Sequence, residues 1–160
     1  MKWIGATAIL LLAFLGLTDA VYLAQHAASG TPLICNIEGL SGCNSVAASP
    51  YARFFGVPLA EFGVFFYSVL FILAALELVL VDRLLRRALQ VTALIGLIAS
   101  LYFTFLQAFI ISAFCIYCLM SAAITLCVFI AASFLEPVRL KRKEVPPQGV
   151  ASTLPMPPRA

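Results

Sequence analysis

Residues 114–135 read FCIYCLMSAAITLCVFIAASFL, an apolar stretch that contains no charged side chain. At about 1.5 Å per residue, a helix of about 20 such residues crosses the roughly 30 Å hydrocarbon core of a bilayer. The stretch therefore predicts a transmembrane helix. Its first residues place a Cys-x-x-Cys motif, Cys115 and Cys118, at one end of that helix.

Three more stretches of similar length and composition precede it, at residues 4–23, 62–81 and 88–111. The chain is 63% hydrophobic and only 11% charged, against about 25% charged in an average soluble domain. The sequence thus predicts an all-α membrane protein, a four-transmembrane-helix bundle that occupies residues 1–137 as one domain. Residues 138–160 are basic, then rich in proline without periodicity, and are expected to form a disordered cytoplasmic tail.

The first stretch has an alternative interpretation. Lys2 followed by an apolar run resembles a cleavable secretory signal peptide. The apolar character resumes at residues 21–23, after Asp19, which makes the segment long enough to span the membrane and favours a retained helix.

Positive charge predicts the orientation, because cytoplasmic loops of membrane proteins are enriched in lysine and arginine. Residues 24–61 contain one arginine, Arg53, and no lysine. The other regions that flank the four stretches hold Lys2, Arg83, Arg86, Arg87, Arg139, Lys141, Arg142 and Lys143. Both termini and the 82–87 loop are therefore expected in the cytoplasm, and residues 24–61 outside, in a multi-pass protein of the inner or plasma membrane. This topology accounts for the net charge of +3. Membrane lipid is therefore an expected partner, and nucleic acid is not.

Four of the five cysteines fall at the predicted outer face, where disulfides form and persist. Cys35 and Cys43 lie in the outer segment, and Cys115 and Cys118 open the fourth helix. Helix N-termini stabilise thiolates, and a three-residue offset places both sulfurs near one helix face. A second pair on a flexible loop would reach the first by thiol–disulfide exchange. Cys127 lies deeper in the apolar helix and is expected to be a buried small hydrophobe.

Other interpretations of these residues stay open. The four cysteines would also suit two inert structural disulfides in a membrane scaffold. A zinc site is disfavoured because seven residues separate Cys35 from Cys43, whereas structural zinc sites pair their ligands closely, and no metal is expected. Asp19 would suit the ion path of a transporter subunit. Alternatively, it lies at interfacial depth and its carboxylate reaches the membrane surface.

The residues also resemble a known family. The stretch SGCNSVAASPYARFFGVP at residues 41–58, Gly63 and Tyr67 after it, and Tyr102, Gln107 and the Cys-Ile-Tyr-Cys motif are similar to bacterial homologues of vitamin K epoxide reductase over roughly residues 5–135. The distinctive combination is Cys-x7-Cys, a serine six residues later, and Cys-x-x-Cys on the fourth helix.

This resemblance implies an enzyme, a thiol:quinone oxidoreductase that supports disulfide-bond formation. Cys35 and Cys43 would form a shuttle pair that takes electrons from a reduced thioredoxin-fold, DsbA-like protein. Cys43 would link transiently to Cys115, and Cys118 would deliver electrons to a quinone such as ubiquinone or menaquinone. Ser49 would lie on a short half-helix of the outer redox loop and cap the quinone pocket, although without the resemblance a turn residue before Pro50 is the simpler role.

A quinone pocket between the helices is expected to have apolar walls. The candidate wall residues are Phe54, Phe55, Phe62, Phe65, Phe114 and Leu119. Ala122 and Leu59 stand where vertebrate members of the family carry a polar tyrosine and asparagine, which favours a plain respiratory quinone over vitamin K epoxide. No fused thioredoxin-like domain follows the fourth stretch, so the redox partner is expected to be a separate protein. The DsbB-type quinone reductases are the nearest alternative, but their two cysteine pairs come in the reverse order.

Overall fold

The computed structural model of the chain describes residues 2–35, 42–80 and 82–135. Its helices are α1 (Lys2–Ser29), α2 (Cys43–Ala48), α3 (Leu59–Leu80), α4 (Arg83–Leu106) and α5 (Ile116–Leu135). A 3₁₀ turn at Pro50–Ala52 and a small hairpin of β1 (Arg53–Phe54) and β2 (Val57–Pro58) join α2 to α3. A π-helical turn, Gln107–Ile111, extends α4.

Within the described residues, four helices are long and apolar enough to cross a membrane. These spans are Gly5–Ser29, Leu59–Leu80, Arg83–Ile111 and Ile116–Phe134. The predicted all-α class and the four-helix membrane bundle are therefore confirmed, and the chain is a multi-pass membrane protein. The predicted half-helix of the loop is α2. The predicted tail and the segment between Cys35 and Cys43 fall largely outside the described residues.

The helices extend beyond the apolar stretches that predicted them. Helix α4 begins at Arg83, five residues before residue 88, because Asp82 caps it by accepting a hydrogen bond from the N–H of Leu84 (3.2 Å). Arginine is also a good helix former, so an apolar run marks only the part of a helix that lies in hydrocarbon. Helix α1 likewise continues to Ser29, six residues past the end of the first stretch.

The four long helices form a closed ring, in which α1 packs against α3 and α5, and α4 packs against α5 and α3. Close approach of α1 and α3 depends on Gly16, because a Cβ there would overlap the ring of Tyr67. The buried centre is formed by small and aliphatic side chains around Tyr67, namely Ile9, Ala13, Ala20, Leu70, Ala74, Leu89, Ala93, Val128 and Ala132. Large side chains on the outer faces, such as Phe65 and Phe134, are exposed, as expected where a helix meets lipid.

At the end of the bundle far from the loop, Glu77 of α3 pairs with Arg86 of α4. Both residues are buried, with 4% and 9% of their surface exposed. Charged side chains inside a membrane domain are costly unless they are paired, so this ion pair joins α3 to α4 where the chain reverses direction.

Candidate functional site

The four cysteines of the two predicted pairs meet in one small cluster at the loop end of the bundle. Cys35 and Cys43 form a disulfide, with their Cα atoms 6.3 Å apart, and Cys115 and Cys118 are free thiols. Cys43 and Cys115 are buried together with Leu33, and Cys35 and Cys118 pack against this cluster. Thus the fold brings residues from the loop after α1 to the start of α5.

Hydrogen bonds hold the loop in that position. The Asn44 side chain accepts from the N–H of Leu33 (2.8 Å) and donates to its carbonyl (3.3 Å), which ties α2 to the segment before Cys35. The N–H of Gly42 donates to the carbonyl of Phe114 (3.1 Å). A Cβ on Gly42 would lie 2.8 Å from the Cβ of Ala113, so the absence of a side chain lets the loop lie directly on the turn before α5.

Cys115 occupies the N-terminal capping position of α5. Its carbonyl accepts from the N–H of Leu119 (3.1 Å), and its own N–H donates to Oε1 of Gln107 (3.1 Å). Gln107 is buried and begins the π-helical turn, which ends at Ser112 in the left-handed region (φ 54°). Single π-helical turns are frequent at functional sites, and this one sets both the Gln107 side chain and the reversal that leads into Cys115.

The surroundings of Cys115 favour its thiolate. The Cys118 thiol donates a hydrogen bond to the Cys115 sulfur, and this bond is the main reason that the pKa of Cys115 is lowered to about 7. Burial acts in the opposite direction, while the backbone N–H groups of Cys118 and Tyr117 lower the pKa further. A thiol with a pKa near neutrality is an effective partner in disulfide exchange.

A cavity of about 690 Å³ opens beside the cysteines and is lined by all four long helices and by the loop. Cys43, Cys115 and Cys118 lie on its wall. Most of the wall is apolar, with aromatic side chains from α3 and α4 such as Phe62, Phe66 and Phe103. Its volume lies within the range of about 300–1,000 Å³ that is typical of small-molecule sites. A quinone ring therefore fits this space in size and in chemical character.

Of the predicted pocket residues, Ser49 and Phe62 line this cavity, and so does Leu59. Ser49 terminates α2 and its hydroxyl donates to the carbonyl of Val46 (2.7 Å). In this structure the hydroxyl therefore serves the turn before Pro50, at the cavity margin.

The other predicted pocket residues are not part of the cavity wall. These are Phe54, Phe55, Phe65, Phe114, Leu119 and Ala122. Phe55 is 92% exposed at the hairpin tip, where it adopts a positive φ (51°) together with Gly56. Phe65 is 72% exposed because α3 faces the cavity with Phe62, Gly63, Phe66 and Tyr67, and residue 65 lies on another side of the helix.

Helix α5 likewise turns one face to the cavity. Cys118, Ser121 and Thr125 line the cavity at the three- and four-residue spacing of one helix face. Leu119 and Ala122 follow Cys118 and Ser121 by one residue, which turns each by about 100° away from that face. Counting forward from the Cys-x-x-Cys motif at helical spacing would have found Ser121 and Thr125.

Tyr67 forms the polar centre of this wall. Its hydroxyl lies 2.8 Å from the Ser121 hydroxyl and 3.0 Å from that of Thr125, and it donates to the Ser121 carbonyl (2.9 Å). These contacts join α3 to α5 below the cysteines. Sequence analysis named Tyr67 only as part of the family resemblance.

One expectation about a single residue was wrong. Cys127, expected to be buried, is exposed, because nine residues, or about two and a half turns, separate it from Cys118 and place it on the opposite face of α5. Asp19, for which the sequence left two roles open, is half-buried and lines the cavity.

Comparison with known families agrees with this architecture. The sequence profile of the vitamin K epoxide reductase family matches residues 7–133, which include all four long helices almost entirely and both cysteine pairs. Among curated proteins, no sequence is similar enough to the chain to add a relative to this comparison. The chain belongs to the vitamin K epoxide reductase family, a family of membrane oxidoreductases associated with quinone-linked redox chemistry.

Proposed function

We propose that this protein oxidises the thiols of a thioredoxin-fold protein and passes the electrons through its two cysteine pairs to a quinone. The observation that carries the proposal is that both pairs meet in one buried cluster on the wall of one apolar cavity. An inert pair of structural disulfides would not need a cavity beside it, nor a free thiol with a pKa near neutrality.

The exchange begins at the loop. A partner thiolate attacks the Cys35–Cys43 disulfide, and the partner's second thiol completes its own disulfide, which leaves both loop cysteines reduced. The Cys43 thiolate then attacks Cys115 of an oxidised Cys115–Cys118 pair, so that a Cys43–Cys115 bond forms and Cys118 leaves as a thiolate. Cys35 finally attacks Cys43, which restores the loop disulfide and releases Cys115.

This series of exchanges returns the protein to the redox state seen here, with Cys35 bonded to Cys43 and with Cys115 and Cys118 free. The Cys115–Cys118 dithiol then gives up two electrons and two protons as its disulfide reforms. The quinone supplies the oxidising power when it is bound, and it leaves as the hydroquinone. The aromatic side chains Phe62, Phe66 and Phe103 would hold its ring, and Cys118 lies on the same wall.

The partner is proposed to approach from the extracytoplasmic side. The segment 24–61 holds one arginine and no lysine, which supports an outer position for the loop, and disulfide formation is favoured there. Ubiquinone and menaquinone are the proposed acceptors, since both are respiratory quinones that partition into the bilayer.

Purified protein in detergent micelles, with ubiquinone and a reduced thioredoxin-fold protein such as DsbA added, tests the proposal. We expect loss of the quinone absorbance in equal proportion to the partner thiols consumed. Cys127→Ala serves as the matched control and should retain full activity, while Cys115→Ala should abolish quinone reduction. Wild-type protein that consumes neither ubiquinone nor menaquinone in the presence of reduced partner would refute the proposed function.

A further inference from the structure

Asp19 introduces a carboxyl group into the cavity. It lies within the span Gly5–Ser29 and lines the same cavity as Cys115 and Cys118. Its negative charge makes the smallest contribution to the pKa of Cys115, and this contribution raises it. The carboxyl group and the two reactive sulfurs therefore share one cavity.

Asp19 has no hydrogen-bond or ion-pair partner among the described residues. The other acidic side chain inside the bundle, Glu77, is buried against Arg86. Ionisable side chains in a membrane span are costly and are commonly functional. The difference between the two acids indicates that Glu77 holds α3 against α4 through its ion pair, whereas Asp19 is left available to a group that enters the cavity.

The other polar groups of the cavity are less suited to exchange a proton with the cysteines. The Tyr67 hydroxyl is held by Ser121 and Thr125, and Oε1 of Gln107 accepts from the N–H of Cys115. His26 and Arg53 also line the cavity, and His26 bonds to Thr31 within its own segment.

We propose that the Asp19 carboxylate accepts the Cys118 thiol proton as the Cys115–Cys118 disulfide forms, and then gives that proton to a quinone oxygen. The inference rests on the function proposed above. The Cys118 S–H bond is broken, as is that of Cys115 when it is protonated, one S–S bond forms, and two electrons pass to the quinone ring. One proton reaches a quinone oxygen through Asp19 and the other comes from the Cys115 thiol or, when Cys115 is already ionised, from solvent. Asp19 ends each turnover ionised, as it began.

The main experiment is a single turnover in which reduced protein is mixed with ubiquinone. Asp19→Asn keeps the shape of the side chain but removes its ability to carry a proton, and we expect quinone reduction to slow by about 100-fold or more. Asp19→Glu retains the acid and should recover most of the rate. Thr18→Ala is the matched control, because the Thr18 hydroxyl bonds to Leu15 of its own helix and the residue does not line the cavity.

Two further measurements separate proton transfer from a structural role. Equilibrium binding of ubiquinone to the oxidised Asp19→Asn protein should match that of the wild type within about threefold. Infrared difference spectra recorded during the single turnover of wild-type protein should contain a transient carboxyl band that is absent from Asp19→Asn. If Asp19→Asn does not insert into the membrane, Asp19→Ser carries the same tests.

The outcomes distinguish this inference from the function on which it rests. Quinone reduction by wild type and Asp19→Asn at equal rates would overturn the role of Asp19 and leave the proposed function intact. A slow variant that has also lost ubiquinone binding, or a wild-type difference spectrum without a carboxyl band, would overturn it too. Failure of the wild type to reduce any quinone would remove the proposed function itself.

Discussion

Cys43 and Cys115 are buried against each other at the loop end of the bundle, with 0% and 1% of their surface exposed. One belongs to a loop helix and the other to the turn before α5, and the N–H of Gly42 bonds to the carbonyl of Phe114 beside them. The two residues through which the cysteine pairs would exchange thus already lie in one buried cluster.

This proximity predicts which cross-link accumulates when resolution is blocked. In Cys118→Ala no second thiol can close the Cys115 disulfide, so oxidised protein should hold a Cys43–Cys115 bond. Non-reducing proteolysis followed by mass spectrometry detects it, and Cys127→Ala provides a protein with the same number of cysteines removed but no trap. A Cys35–Cys115 bond would instead reverse the order of the two loop cysteines.

The pKa of Cys115 predicts how its reactivity depends on pH. With the loop disulfide intact, alkylation of Cys115 by iodoacetamide should rise with pH with a midpoint near the pKa of about 7, because the hydrogen bond from Cys118 stabilises the thiolate. Cys118→Ala removes this largest contribution, and the midpoint should move to higher pH. Peptide-level mass spectrometry separates Cys115 from Cys127. An unchanged midpoint in Cys118→Ala would contradict the assigned cause.

Gln107 should be needed for the geometry before α5. Gln107→Leu leaves the buried N–H of Cys115 without its acceptor, which should lower the free energy of unfolding by about 1–3 kcal/mol. Thr104→Val is a suitable control, because its hydroxyl bonds only to Ser100 of the same helix and its loss should matter less. Unfolding in mixed micelles of increasing dodecyl sulfate content measures both. Equal stability of Gln107→Leu and wild type would show that the bond contributes nothing.

The buried ion pair between Glu77 and Arg86 allows a double-mutant test. Arg86→Met leaves the Glu77 carboxylate buried and unpaired and should destabilise the protein by about 3–5 kcal/mol. Glu77→Met combined with Arg86→Met removes both charges and should recover most of that loss. The same mixed-micelle titration applies. If the double variant is as unstable as the single one, the pair is not acting through charge.

Reporter fusions test the orientation that charge predicts. Fusions at Arg86 and after Lys143 should report the cytoplasm, and a fusion near Glu38 should report the outside, because the basic side chains flank the ends opposite the loop. An outside signal at Arg86 would place both cysteine pairs in a reducing compartment and would contradict thiol oxidation.

The apolar stretches were sufficient to predict four membrane helices and their order, because the thickness of hydrocarbon sets both the length and the composition of a span. The cysteine pairs could likewise be recognised from spacing, since Cys115 and Cys118 lie within one turn of one helix. In each case the feature depends only on residues close together in the sequence, so it can be predicted without knowing how the helices pack.

Which side chains surround the cavity was decided by tertiary structure. Phe62 faces the cavity and Phe65 faces outward, although both are aromatic residues of the same apolar helix. In a membrane protein the outer surface is as apolar as the interior, so hydrophobicity does not mark the inward face, as it does in water. The rotation of α3 is set by contacts such as Gly16 against Tyr67, and the same packing turns Asp19 into the cavity and Cys127 away from it.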